Sequence, residues 1–231
     1  MNRPILLLWD IDGTLVLSGG AGMRALTQAL ANHFGIVGSL ESIDFAGRTD
    51  RWIVKEVFKK FSIEPSEANI EAFLNAYLAA LPAELGRGQA DILPGVAKLL
   101  LEASQRPGVT QALLTGNLRR GAETKLRHHS IWEYFPFGAF ADDSELRNEL
   151  GPFALARAQA HAGSAFAPES VWIIGDTPHD IACGKAIQAN TLGLATGQYT
   201  VAELEAFQPT AVLPDLSDSK RFWQVIDQRG V

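Results

Sequence analysis

Short apolar runs alternate along this chain with stretches in which apolar residues recur at helical spacing. Ile5-Leu6-Leu7-Leu8-Trp9 is the first run, and it stops at Asp10. It is shorter than the ~7 apolar residues of a signal-peptide core or the ~20 of a spanning helix, so it reads as a buried strand. Three amphipathic stretches follow with no strand between them. Met23, Leu26, Leu30 and Phe34 share one helical face, as do Val54, Val57, Phe58 and Phe61 behind the capping pair Thr49-Asp50. Ser66 opens the longest stripe, Ile70, Phe73, Leu74, Tyr77, Leu78 and Leu81, and the run Leu85-Gly86-Arg87-Gly88 is expected to end it.

After Leu93-Pro94-Gly95 the two kinds of element alternate. Strands are predicted over 110–115, 137–141, 171–174, 191–195 and, more weakly, 211–213. Helices are predicted from Val96, over 122–128, from Pro152 to 160, over 180–187 and near 220–227. This alternation predicts an α/β fold, a doubly wound parallel sheet covered on both faces. Residues 1–15 and 91–231 form the expected core, and 16–90 an all-helical insertion. In open parallel sheets the C-terminal strand ends frame the ligand crevice. An insertion leaving the first strand sits over that crevice as a lid, with Ser18-Gly19-Gly20 as its hinge.

Composition narrows the class. The 231 residues are 47% hydrophobic, enough for a sizeable core, and disorder is disfavoured. A net charge of −6 leaves no basic excess for a phosphate backbone, so no nucleic-acid partner is expected, and no segment suits a membrane. A single cysteine makes neither an internal disulfide nor a Cys-rich zinc site, which points to a reducing, cytoplasmic setting.

Each of the first four core strands ends in polar groups, and parallel strands bring those ends to one rim. They are Asp10-Ile11-Asp12-Gly13-Thr14, then Thr115-Gly116-Asn117, then Asp142-Asp143 with Arg147, then Gly175-Asp176-Thr177-Pro178-His179-Asp180. Two carboxylates two residues apart at a strand end suit two roles in one site. One attacks phosphorus to form an acyl phosphate; the other protonates the leaving alkoxide and then deprotonates water. Gly13 allows a tight turn and close approach of amide N–H groups to an anion. Asp176 and Asp180 add to Asp10 an oxygen-rich cluster that a hard divalent cation would relieve, although Asp180 also stands where a helix cap belongs. Thr115 and Gly116 offer a hydroxyl and accessible amides to a phosphoryl oxygen. Arg147 supplies a fixed cation able to fork two hydrogen bonds to phosphate.

In this order the four elements resemble the haloacid dehalogenase superfamily, over essentially the whole chain. Asp10-x-Asp12-Gly13-Thr14 is similar to its first motif, Thr115 to its second, Arg147 to its basic third, and Gly175-Asp176-x-x-x-Asp180 to its acidic fourth. The insertion resembles the small helical cap of the phosphoglycolate phosphatase and β-phosphoglucomutase branch. The resemblance implies a Rossmann-like core, Mg2+ dependence and a phosphoaspartate intermediate, with Asp10 as nucleophile and Asp12 as general acid/base. It implies metal contacts from Asp10, the Asp12 carbonyl and Asp176, with Asp180 holding metal or water. The third motif is often Lys followed by Pro; here Arg147 precedes Pro152 by five residues, and Lys125, expected on a solvent-facing helix, is the other candidate. Enzymes of the superfamily that displace halide need no acid at the Asp12 position, so Asp12 favours phosphoryl transfer to or from an oxygen.

Selectivity is expected in the cap. Phe45-Ala46-Gly47-Arg48-Thr49-Asp50 resembles the family's substrate loop, where Arg48, with Thr49 beside it, would meet a second anionic group such as a carboxylate. The alternative is that Thr49 or Asp50 caps the next helix and Arg48 faces water. The expected activity is a magnesium-dependent phosphatase for a small phosphorylated metabolite, phosphoglycolate first, in a monomer or homodimer. A sugar phosphomutase using the same residues, or a silent phospholigand-binding protein, are the alternatives.

Overall fold

The computed structural model describes residues 4–228, so positions 1–3 and 229–231 of the expected core lie outside it. The first apolar run is strand β1, Ile5–Trp9. A two-residue strand, β2 (Val16–Leu17), follows, and then three helices, α1 (Ala21–Phe34), α2 (Asp50–Phe61) and α3 (Glu67–Arg87). Strand β3 (Asp91–Ile92) returns beside β2, pairing antiparallel as Val16↔Ile92 and Leu17↔Asp91. The two ends of the helical segment are thereby held together.

The rest alternates: α4 (Val96–Gln105), β4 (Val109–Leu114), α5 (Arg119–His128), β5 (Gly138–Ala139), α6 (Leu150–Ala162), β6 (Val171–Gly175), α7 (Pro178–Ala186), β7 (Asn190–Leu194), α8 (Val201–Glu205), β8 (Ala211–Leu213) and α9 (Ser219–Asp227). The main sheet is wholly parallel in the order β5-β4-β1-β6-β7-β8. The doubly wound α/β fold expected from the alternation is the one observed. Strand β1 lies in the middle, with Trp9 opposite Leu113 on one side and Ile174 on the other. That register sets the residues after Trp9, Leu114 and Gly175 on one rim.

Period-two alternation sorts the strands between two cores. Leu7, Trp9, Leu113, Trp172 and Ile174 face α4, α5 and α9, where the Trp9 ring stacks on Phe222 at 5.7 Å. Leu6, Leu8, Ala112 and Ile173 face α6 and α7 through Ala154, Ala158 and Cys183. The three inserted helices gather a third cluster of their own around Phe58, Phe73 and Tyr77. Thr49 caps α2 by accepting from Trp52 N–H, and Ser66 caps α3 by accepting from Asn69 N–H. Helix α3 runs to Arg87 through Pro82 and Gly86, two residues further than the expected break at Leu85, because Leu81 and Leu85 remain buried on its inner face. Among the described residues, no helix is long and apolar enough to cross a membrane.

Candidate active site

The chain leaves β1 through a tight turn. Gly13 sits at φ +78°, and a Cβ there would lie 2.3 Å from Asp176 Oδ2. Glycine therefore makes room for the acid of the neighbouring strand. Its own amide donates to Val16 O at 2.9 Å, so an anion at this turn would meet amides other than this one.

Asp10 is buried and lies 3.1 Å from Arg147 Nη2, yet its Oδ1 receives no hydrogen bond of good geometry. Burial, with the nearby charges of Asp180 and Asp12, pushes its pKa up to about 6 against the opposing pull of Arg147. Asp176 is buried too, accepts from Thr14 Oγ1 at 3.2 Å, and is raised well above the usual carboxylate range by burial and by Asp180 and Asp10. Asp180 joins both of its candidate roles. Its Oδ2 reaches back to the Thr177 amide at 3.0 Å and hydroxyl at 2.7 Å at the start of α7, while its Oδ1 binds Arg147 Nη2. Carboxylate oxygens from Asp10, Asp176 and Asp180 lie within 4.8 Å of one another. Three hard oxygen donors, two with pKa values raised by burial and crowding, fit a divalent cation.

Arg147 is buried, and the short turn Arg147–Glu149 just before α6 delivers it to the rim. It meets Asp10 and Asp180 through Nη2 and Gly47 O through Nη1 at 3.2 Å. Cys183 contributes packing: it is buried, its thiol donates to Arg147 O at 3.3 Å, and burial pushes its pKa up to about 12.

Asp12 points the other way. Its carboxylate accepts from Lys125 Nζ at 2.5 Å, Ser18 Oγ at 2.5 Å and Asn117 Nδ2 at 2.9 Å. Burial would raise its pKa, but the Lys125 charge and these three donors outweigh it and hold Asp12 below the ordinary value of 3.8. The solvent-facing placement expected of Lys125 is thus corrected. It is 5% exposed, with Nζ bound to Asp12 and to Asn117 Oδ1 at 2.6 Å. The signal was in the spacing, since Leu118, Ala122, Lys125 and Leu126 share one face of α5. Asn117 joins the two halves of the site. Its Nδ2 also donates to Thr115 Oγ1 at 2.9 Å, and Thr115 is fully buried beneath it while Gly116 and Asn117 line the open space.

The helical segment covers this floor. The Asp50 amide donates to Gly116 O at 2.7 Å, and the Asp50 carboxylate accepts from Leu118 N–H at 2.7 Å. Burial pushes the Asp50 pKa up to about 6, with Asp12 and Asp142 adding to the rise and Lys125 and the Leu118 hydrogen bond opposing it. Thr49 Oγ1 donates to Glu145 O, and Lys55 pairs with Glu145. Thr49, expected at the substrate, is corrected to a buried cap and latch outside the cavity lining; Arg48 does line the cavity, its guanidinium 4.3 Å over the Trp52 ring and its Nε unpartnered. Between floor and cover lies a cavity of about 710 Å3 that Asp10, Asp12, Lys125, Arg147 and Asp176 line.

Residues 7–185 match the family model of haloacid dehalogenase-like hydrolases. "Probable phosphatase IndB" of Dickeya dadantii is 25% identical, over 92% of this chain and 90% of its own. A phosphoglycolate phosphatase of Nitrosococcus oceani is 24% identical, over 95% and 96%. In fold, the chain is similar to CbbY from Rhodobacter sphaeroides, solved with xylulose-(1,5)bisphosphate, at a TM-score of 0.75 and 19% identity over 94% of this chain and 96% of that one.

Proposed function

The chain belongs to the haloacid dehalogenase-like hydrolases as a phosphoric monoester hydrolase, and from that premise we propose that it hydrolyses small phosphomonoesters with magnesium, through a phosphoaspartate on Asp10. The observation that carries this reading is one cavity floor holding a buried carboxylate, a fixed guanidinium 3.1 Å from it and a second carboxylate held by Lys125. The Asp10 oxygen attacks phosphorus, and the bond from phosphorus to the alcohol oxygen breaks. Asp12 gives its proton to the departing alkoxide. It then takes a proton from the water that attacks the phosphoaspartate, which frees inorganic phosphate and restores Asp10. In the resting site Asp12 is ionised, the form that accepts a proton. A phosphate dianion arriving beside it raises its pKa toward the form that gives one.

Arg147, Asn117 and the Gly116 amide line the cavity and would hold the phosphoryl oxygens, while Lys125 serves Asp12. Asp10, Asp176 and Asp180 would hold the magnesium ion, with the Asp12 main-chain carbonyl, since the Asp12 carboxylate is turned to Lys125. When bound, that ion offsets the repulsion between a carboxylate and a phosphate of like charge. Residues 16–90 act as the lid, closing on the core through Asp50 and Thr49. Arg48 makes phosphoglycolate, with its carboxylate, the first natural ester to try.

The test is a screen of phosphate esters with magnesium. Release of inorganic phosphate that chelation abolishes, magnesium restores and Asp10→Asn eliminates without loss of fold supports the reading. Substantial turnover by Asp10→Asn removes Asp10 as nucleophile, and an isomerised sugar phosphate in place of free phosphate would make the protein a mutase.

A further inference from the structure

The cavity changes character between its floor and its cover. The floor is charged; the rest of the lining sets apolar Leu17, Met23 and Phe45 among polar Ser18, Gln89 and Gln198. Leu17 and Met23 are 44% and 38% exposed, large apolar side chains standing open beside a polar floor. Uncovered apolar surface of this kind marks where the apolar part of a ligand lies. Few charges balance it on the cover side. Arg48, stacked on Trp52 with its Nε unpartnered, is among the described residues the one cation lining that side, and the Asp50 carboxylate is held by Leu118 N–H. The cations of the floor are engaged with its acids, Lys125 with Asp12 and Arg147 with Asp10 and Asp180.

Size points the same way. Phosphoglycolate has about nine heavy atoms, whereas a space of about 710 Å3 lies within the ~300–1,000 Å3 of sites that take larger ligands. Its carboxylate can meet Arg48, but nothing in it would cover Leu17, Met23 or Phe45.

We infer that the alcohol half of the substrate carries an apolar body of about eight to twelve carbon atoms, lying against Leu17, Met23, Leu26 and Phe45 while its phosphate meets Asp10. The inference rests on the phosphomonoesterase reading and narrows it, placing the preferred ester away from phosphoglycolate.

Steady-state rates for ethyl, butyl, hexyl and octyl phosphate test it, because these primary alkoxides are nearly equal as leaving groups. Phosphoglycolate and p-nitrophenyl phosphate are run beside them. The value of kcat/KM should rise about two- to fourfold per added methylene until the wall is covered. Hexyl phosphate should exceed both ethyl phosphate and phosphoglycolate by at least roughly tenfold. Met23→Ser should shrink the hexyl-to-ethyl ratio several-fold. A flat series with p-nitrophenyl phosphate turned over overturns this inference and leaves the phosphomonoesterase reading intact, as does phosphoglycolate outrunning every alkyl ester. No turnover of any ester, p-nitrophenyl phosphate included, overturns both.

Discussion

Replacing Lys125 by methionine separates the two carboxylates of the floor. The ammonium donates to Asp12 Oδ2 at 2.5 Å and to Asn117 Oδ1 at 2.6 Å from a side chain only 6% exposed. A hydrogen bond to a charged group contributes about 1.5–3 kcal/mol. The Asp12 side chain is 42% exposed, so water can replace the lost donor there. Methionine also fills the stem's volume without burying a charge. The net cost to stability should be about 1–2 kcal/mol, at or below the low end of that range.

The effect on turnover should be larger and selective. Asp12 keeps Ser18 and Asn117 but loses the cation that does most to hold it ionised and in place. General acid–base catalysis supplies roughly 10²–10⁴ in rate, and losing one of three anchors should remove about 10- to 100-fold of it for ethyl phosphate. For p-nitrophenyl phosphate, whose leaving group departs without a proton, the loss should stay within about threefold. The assay is kcat for both esters by phosphate release, with a melting curve for each protein. Equal losses on the two esters would mean that Lys125 does not act through Asp12; unchanged rates would remove it from the site.

Asp50 gives a pH signature. Its folded pKa of about 6 lies above the unfolded 3.8, so between those values the folded chain holds a proton that the unfolded chain has released. The stability this proton contributes is full below pH 3.8 and is lost as pH rises through 6, on the order of 3 kcal/mol in all. Asp50→Asn keeps an acceptor for Leu118 N–H and should melt higher than the parent at pH 8 and nearly level with it at pH 4; the reverse order would show Asp50 to be stabilised as an anion. Thr49→Ala should cost about 1 kcal/mol through the lost cap and affect all esters alike. Arg48→Ala should raise KM for phosphoglycolate more than for ethyl phosphate. A Cβ at Gly116 would stand 2.1 Å from Arg48 O, so Gly116→Ala should lift the cover, lower kcat/KM at least about tenfold and lower the melting temperature through the lost Asp50 contacts.

The parallel sheet and its polar strand ends were readable because burial on both faces makes each strand a continuous apolar run, and because the acids begin where such runs stop. Residues whose place depends on a distant partner were not. Strands β2 and β3 are two residues each and exist only through pairing across the inserted helices. Strand β5 shrank from the expected 137–141 to Gly138–Ala139, which pair with Leu113 and Leu114 of β4. Lys125 reads as a surface lysine until Asp12 is seen opposite, 113 positions earlier in the chain. Asp50 carries the sequence signature of a helix cap, but the cap is Thr49, and the Asp50 carboxylate crosses to α5 instead. Nothing local reveals, either, that Val16 O returns to accept from the Gly13 amide.

The central claim is that Asp10 takes the phosphoryl group. Quenching the enzyme with acid during turnover of p-nitrophenyl phosphate, reducing it with borohydride and mapping its peptides by mass reads this directly, because an aspartyl phosphate is reduced to homoserine. The account predicts homoserine at position 10 and nowhere else, absent without substrate. Steady phosphate release with Asp10 unreduced, or with homoserine at Asp12, Asp176 or Asp180, would contradict it.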